Sequence, residues 1–256
     1  MIGVRALSPG ELLGVWEEAA GRGSAERALA LLALVCPDLG PEALGELRVD
    51  QQNERLLALR EQLFGRELVA VANCPRCRER CELTLDAEEV RARGEVAAGA
   101  GEEATAAPTE HVVSVDGRTI RFRVATAADL VAAGTCPTVD EARALLLARC
   151  IVSIDGVGRS ASAPEVGDVV RRAVEDAIER LSPQAEVRLT LSCPACGETW
   201  EGDFDVVSFL WAEIEAWARR TLRDVHELAL TYGWSESQVL ALSPRRRRLY
   251  LELIGG

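Results

Sequence analysis

Four of the eight cysteines stand in two Cys-Pro-x-Cys steps, Cys74-Pro75-Arg76-Cys77 and Cys193-Pro194-Ala195-Cys196. A pair of thiolates at a tight turn supplies half of a tetrahedral shell, and two such turns facing each other close a four-sulfur set around zinc with Zn–S distances of about 2.3 Å. The spacing therefore assigns Cys74, Cys77, Cys193 and Cys196 to one structural zinc ion. A closed shell has no open position, so this metal would hold the fold and carry out no reaction. Reduced, unliganded thiols or a labile disulfide are the plain alternative. A thiol oxidoreductase would need one Cys-x-x-Cys at a helix N-terminus, whereas each step here runs on into a strand pattern. Cys36, Cys136 and Cys150 sit singly among apolar neighbours or at helix ends and read as small buried hydrophobes.

The segments around the two steps form an internal repeat. Leu68, Ala70 and Ala72 alternate into the first step and Cys81, Leu83 and Leu85 lead out; Val187, Leu189 and Leu191 lead into the second, and Trp200 and Phe204 lead out. Each returning strand ends at an Asp helix cap, Asp86 or Asp205, with no insertion between knuckle and cap in either copy. Cys81 aligns with Trp200, so its slot accepts a large apolar group and reads as core.

The rest of the chain must position these knuckles. Ser8-Pro9 with Glu11 opens a helix that Gly21 and Gly23 stop, and Ser24 to Val35 forms a second. Asp50 is expected to cap a third, with Leu56, Leu59 and Leu63 on one side. After a Gly/Ala/Glu-rich stretch, Val112 to Val115, the Asp116-Gly117 turn and Ile120 to Val124 spell a hairpin. Thr126 caps a short helix, another runs from about Val139 to Arg149, and Cys150 to Ile154 is a short strand. A helix over Ala163 to Leu181 is expected to bury Val166, Val169, Val170, Ala173, Ala177 and Leu181. The longest helix follows Asp205, with Val207, Leu210, Ile214, Trp217, Thr221, Val225 and Leu228 on one face. The expected class is α+β. Its parts are a helical N-terminal region over 1–65, a first zinc-knuckle hairpin and helix over 66–93 and a flexible linker over 94–110. A small α/β insert over 111–184, a second knuckle hairpin and long helix over 185–232 and a C-terminal helical tail over 233–256 complete it.

Composition narrows the chemistry. The 256 residues carry 29 basic groups, all Arg, against 41 acidic ones, for a net charge of −12, so a phosphate backbone is disfavoured as a partner. His111 and His226 are the two histidines, too few for Ser-His-Asp or Cys-His catalysis or a His-rich metal site. The sequence has no G-x-G-x-x-G, Walker, G-x-S-x-G or H-E-x-x-H pattern. No enzyme and no small-molecule substrate are expected. It also has no run of about 18 apolar residues, so no membrane span is expected. The absence of a leader after Met1 together with the cysteine usage points to a reducing cytoplasm. Trp211 and Trp217, with Trp200 nearby and Trp234 just past the helix end, make an aromatic cluster expected to pack around the second knuckle, any exposed part being a partner anchor. Arg245, Arg246, Arg247 and Arg248, before Tyr250, read as a solvated helix face, or else as a contact for an acidic partner.

Several stretches together resemble a known family. They are Leu7-Ser8 with Glu11-Leu12-Leu13 and Trp16, Leu63-Phe64-Gly65 before the first Cys-Pro-x-Cys, and Cys193-Pro194-Ala195-Cys196-Gly197. Phe209-Leu210-Trp211 with Glu213-Ile214 and Trp217-Ala218-Arg219-Arg220, and Tyr232-Gly233-Trp234-Ser235-Glu236, complete the set. The chain is thereby similar to the T-even phage baseplate hub and assembly-chaperone family of contractile phages and bacterial contractile injection systems. The resemblance covers Leu7 to Trp16, Gln62 to Cys77 and Val187 to Leu253, and leaves the linker from Gly94 uncovered. It implies a non-enzymatic baseplate component or assembly factor of a contractile tail or phage-like injection particle. Its partners would be other baseplate, hub or tube proteins, and it would reside in the cytoplasm or in the particle. Many phage members lack the paired knuckles, so the zinc expectation rests on spacing. A zinc-ribbon nucleic-acid-binding protein is the rival reading, and it requires a focused basic face and salt-dependent binding.

Overall fold

Each N-terminal helix starts where a side chain accepts from an N–H at the cap, or where a proline takes the first turn and removes a donor that would have no partner. We analysed a computed structural model that describes residues 4–88, 90, 109–155, 157–158, 167–182, 185 and 187–255. Helix α1, Pro9–Ala19, begins with a reciprocal cap in which Glu11 N–H donates to Ser8 Oγ (3.3 Å) and Ser8 N–H donates to the Glu11 carboxylate (2.8 Å). Helices α2, Ser24–Val35, and α3, Pro41–Gly45, follow, then α4, Val49–Phe64. The expected Asp50 cap is corrected: α4 starts one residue before it, Arg48 holds the cap position with its N–H on Gln51 Oε1 (3.2 Å), and Asp50 pairs with the Arg48 guanidinium at 2.7 Å. Gly65, at φ +89°, ends α4 in a backbone region that side-chain-bearing residues avoid.

Strands β1, Glu67–Asn73, and β2, Arg80–Asp86, form one antiparallel hairpin; β7, Val187–Ser192, and β8, Thr199–Phe204, form another. Ala72 faces Cys81 in the first, and Leu191 faces Trp200 in the second, so the repeat read from the sequence is also a repeat of register. Asp86 accepts from the Glu88 N–H (2.7 Å) as expected of a cap, and Asp205 accepts from Val207 and Ser208.

Between the hairpins lies a four-stranded sheet in the order β3-β4-β5-β6: Glu110–Val115, Arg118–Arg123, Ile151–Ile154 and Val157–Gly158. Asp116 (φ 51°) and Gly117 (φ 75°) make the tight turn expected there. Helices α5, Ala127–Ala133, and α6, Val139–Cys150, are inserted between β4 and β5, and α7, Asp168–Leu181, follows the sheet. Ile120, Phe122, Leu147, Ile151, Val170, Val174 and Ala177 form a core of their own. The α7 face is rotated from expectation, since Val169 is exposed and Val174 is buried in its place. Ala163 and Val166 lie outside the described residues, as do positions 94–108 of the expected linker. Helix α5 packs on α2 and α3, and its entry is stitched to the start of α4: Val49 N–H donates to Ala125 O (3.1 Å) and Ala127 N–H to Leu47 O (2.8 Å).

The longest helix, α8, Val206–Tyr232, joins the N-terminal helices to the C-terminal ones. Its buried residues Val207, Trp211, Ile214, Ala218, Thr221, Val225 and Leu228 recur in alternating steps of four and three, with Val206 and Leu210 beside them. Ala218 rather than Trp217 lies on this seam; Trp217 is half-buried. Leu210 and Ile214 enter the main core with Leu31, Leu32, Leu56, Leu59, Leu68, Leu189 and Leu191. Val225 and Leu228 pack instead with Val239, Trp234 and Tyr250, which brings α9, Glu236–Leu240, and α10, Pro244–Gly255, against the far end of α8. Mixed helices and small antiparallel hairpins give the α+β class expected.

Candidate metal centre

Each knuckle is shaped by its own main chain. Cys74 N–H donates to Glu79 O (2.9 Å) and Arg78 N–H to Cys74 O (3.0 Å); in the second hairpin Cys193 N–H donates to Glu198 O (2.8 Å) and Gly197 N–H to Cys193 O (3.0 Å). Both turns need a left-handed residue after the second cysteine, Arg78 at φ 65° and Gly197 at φ 71°. This closes each turn tightly enough for its two sulfurs to point the same way.

The knuckles face each other. Cys74 Sγ lies 3.7 Å from Cys196 Sγ and Cys77 Sγ lies 3.6 Å from Cys193 Sγ, and all four sulfurs fall within 4.8 Å of one another. A tetrahedron with metal–sulfur bonds of about 2.3 Å has edges of about 3.8 Å, so the tetrad has the size and donor chemistry to hold one thiophilic ion. Arg76 and Glu198 add an ion pair across the gap at 3.5 Å. Cys74 and Cys193 are buried, Cys196 is half-buried and Cys77 is exposed, which leaves one corner open to solvent. Cys81 and Trp200 pack against the inner side.

Ionisation in the tetrad is uneven. Burial opposes a Cys193 thiolate, but N–H groups of Cys196 and Ala195 and the neighbouring thiols outweigh it and bring Cys193 down to about 6. At Cys77 the Glu79 N–H favours the thiolate, yet Cys196 above all, with a partial loss of hydration and the thiols of Cys193 and Cys74, wins and pushes it up to about 12. Four negative sulfurs this close repel one another, and a dication is what allows all four to lose their protons.

At the end of the first hairpin away from its knuckle, Arg60 ties β1 to α8. Its guanidinium is buried, donates to both Glu213 oxygens (2.8 and 2.7 Å), and donates to the carbonyls of Gly65 (2.7 Å) and Glu67 (2.6 Å). Sequence reading did not single out this pair. Its signal is an Arg four residues after Leu56 on the apolar face of α4, and a Glu between Leu210 and Ile214 on α8.

The other residues singled out do not gather at the cysteine tetrad. Trp211 is buried with the Arg27 guanidinium 4.7 Å over its ring. Trp234 stacks on Tyr232 at 4.7 Å and meets Tyr250 edge-on at 4.9 Å, at the far end of α8. The Arg245–Arg248 run is split, which corrects the solvated-face expectation for one member: Arg247 is buried with Asp224 at 3.8 Å, while Arg245, Arg246 and Arg248 are exposed. His226 is exposed, and His111 rests against the Phe122 ring at 5.7 Å. No described helix is long and apolar enough to cross a membrane.

The family model described as T4 bacteriophage base plate protein matches residues 35–211, more than half of the chain and both knuckles. No curated protein and no solved structure matches.

Proposed function

The chain belongs to the T4 bacteriophage base plate protein family, and from that premise we propose that it is a non-enzymatic baseplate component or assembly factor of a contractile tail or phage-like injection particle, stapled by zinc. The family match carries the first part. The second part is supported by the tetrad, whose closed set of four thiols suits a structural ion and leaves no position for a substrate.

The partner surface is proposed at the far end of α8 and on α10. Leu230, Leu249 and Leu253 are exposed there, beside the half-buried Trp234 and Tyr250 and the exposed Arg245, Arg246 and Arg248. A basic and apolar patch on a chain of net charge −12 suits an acidic, apolar face of another baseplate, hub or tube protein. Trp217 is the remaining half-buried aromatic on α8; Trp211 and Arg247 are withdrawn from the surface and drop out of the set.

The test is an affinity purification from the native host with metal analysis of the same preparation. Baseplate, hub, tube or sheath proteins should co-purify, with one zinc per chain. Recovery of nucleic acid or redox proteins alone would overturn the functional reading. Well under one zinc per chain, or a Cys193→Ser protein with unchanged metal content and thermal stability, would overturn the zinc.

A further inference from the structure

A fifth thiol borders the tetrad. Cys81 on β2 is 2% exposed and packs directly against Cys74 and Cys193. Its thiol donates to the Glu79 carbonyl at 3.6 Å and also lies within interaction range of the Cys193 thiol. The equivalent position in the second hairpin holds Trp200, which lines the same side of the tetrad with an apolar ring. Packing at this position therefore does not demand sulfur.

The four ligands differ in what they meet. Cys74 and Cys193 are shielded, and Cys77 is exposed, so Cys77 is the corner that an oxidant or electrophile reaches first. A shell reduced to three sulfurs would be left with an open position.

We propose that Cys81 is a reserve ligand, which takes the place of Cys77 when that corner is lost and restores a four-sulfur shell with Cys74, Cys193 and Cys196. Rotation about χ1 carries a cysteine sulfur about 3 Å from one staggered position to the next, and Cys81 already adjoins Cys74 and Cys193, two of the three sulfurs it would join. Binding releases the Cys81 proton to solvent, as for any thiol that becomes a ligand. This inference rests on the reading that the tetrad holds a metal.

Cobalt(II) is the probe, because its absorption reports the number of sulfurs bound. The full chain is titrated as wild type, Cys77→Ser, Cys81→Ser and Cys77→Ser/Cys81→Ser. Wild type and Cys81→Ser should give the same four-sulfur spectrum. Cys77→Ser should keep one equivalent of metal and the four-sulfur spectrum. The double variant should lose that spectrum, with affinity weakened beyond the roughly 10–100-fold that outer-shell changes cost. Identical spectra and affinities for Cys77→Ser and the double variant would overturn the proposal. If Cys77→Ser fails to fold, folded metal-loaded wild type and Cys81→Ser are alkylated at Cys77 with N-ethylmaleimide, the single adduct being verified by mass spectrometry. Wild type should then keep its metal and Cys81→Ser release it, and equal release overturns the proposal. A wild type that takes up no cobalt would overturn the metal reading itself, a result distinct from each of these.

Discussion

Arg78 and Gly197 hold the same left-handed position in the two knuckles, at φ 65° and 71°. A side-chain-bearing residue there costs on the order of 1–3 kcal/mol, and glycine loses about 0.5–1 kcal/mol of that advantage through its freer unfolded chain. Arg78→Gly should therefore stabilise the metal-loaded protein by about 1 kcal/mol, seen as a higher urea midpoint at unchanged slope; a lower midpoint would mean the Arg78 side chain matters to the fold. At this scale the gathering of the four cysteines was legible, because the shape of a Cys-x-x-Cys turn is set by residues adjacent in the chain. Arg60 and Glu213 were not, since their bond joins residues 153 apart and nothing local marks either as buried. Arg247 was misread for the same reason, as its partner Asp224 lies on another helix.

At the scale of elements, Asp129 shows how strand β4 and helices α5 and α6 are tied together. Its fully buried carboxylate accepts from Arg123 (2.5 and 3.0 Å), from Arg149 (2.5 Å) and from the Thr126 N–H at the start of α5 (2.9 Å). Burial raises the pKa, but the two guanidiniums and the N–H outweigh it and hold the group at about 2. A carboxylate held below its unfolded value stabilises fully above that value, near pH 4, and its contribution fades as pH falls toward 2. Asp129→Asn should thus lower stability at pH 7 by at least about 2 kcal/mol. The gap to wild type should narrow between pH 4 and pH 2 in urea titrations; a gap independent of pH would remove the ionised carboxylate from the account. Elements with strong local signals, such as the hairpins and the caps at Ser8, Thr126 and Asp205, were readable in advance. The α8 seam was read to within one residue at Trp217, because a bulky aromatic and the adjacent Ala218 compete for one position and only the helices opposite decide. On α7, Val169 lost to Val174 because the sheet beneath it sets which side faces in.

Across the whole molecule there are three apolar groups and one cysteine cluster: α8 enters the main core and the cluster at its own far end, while the region of the central sheet is tied to the N-terminal helices through α5. With zinc in the tetrad as proposed, stripping it should act unevenly on them. Amide exchange after chelation should accelerate in β1, β2, β7, β8 and the first half of α8, whereas Ile120, Phe122 and Ile151 on β4 and β5 should keep their protection. Uniform loss would mean a single cooperative unit, and no change would mean that the metal does not hold the hairpins. The seating of α5 on α2 and α3 was the least legible feature, for it depends on main-chain bonds between Leu47, Val49, Ala125 and Ala127 that no side-chain pattern announces. The separation of the knuckles also has a consequence in time. Cys77 and Cys193 are 116 residues apart, so at about 5–20 residues per second of synthesis the first knuckle waits roughly 6–23 s for its counterpart. Over the same interval Leu56 and Leu59 lack the Leu210 and Ile214 they will cover. The nascent chain thus carries an unfinished half-site past the ribosome, and folding is completed by segments translated after the central sheet.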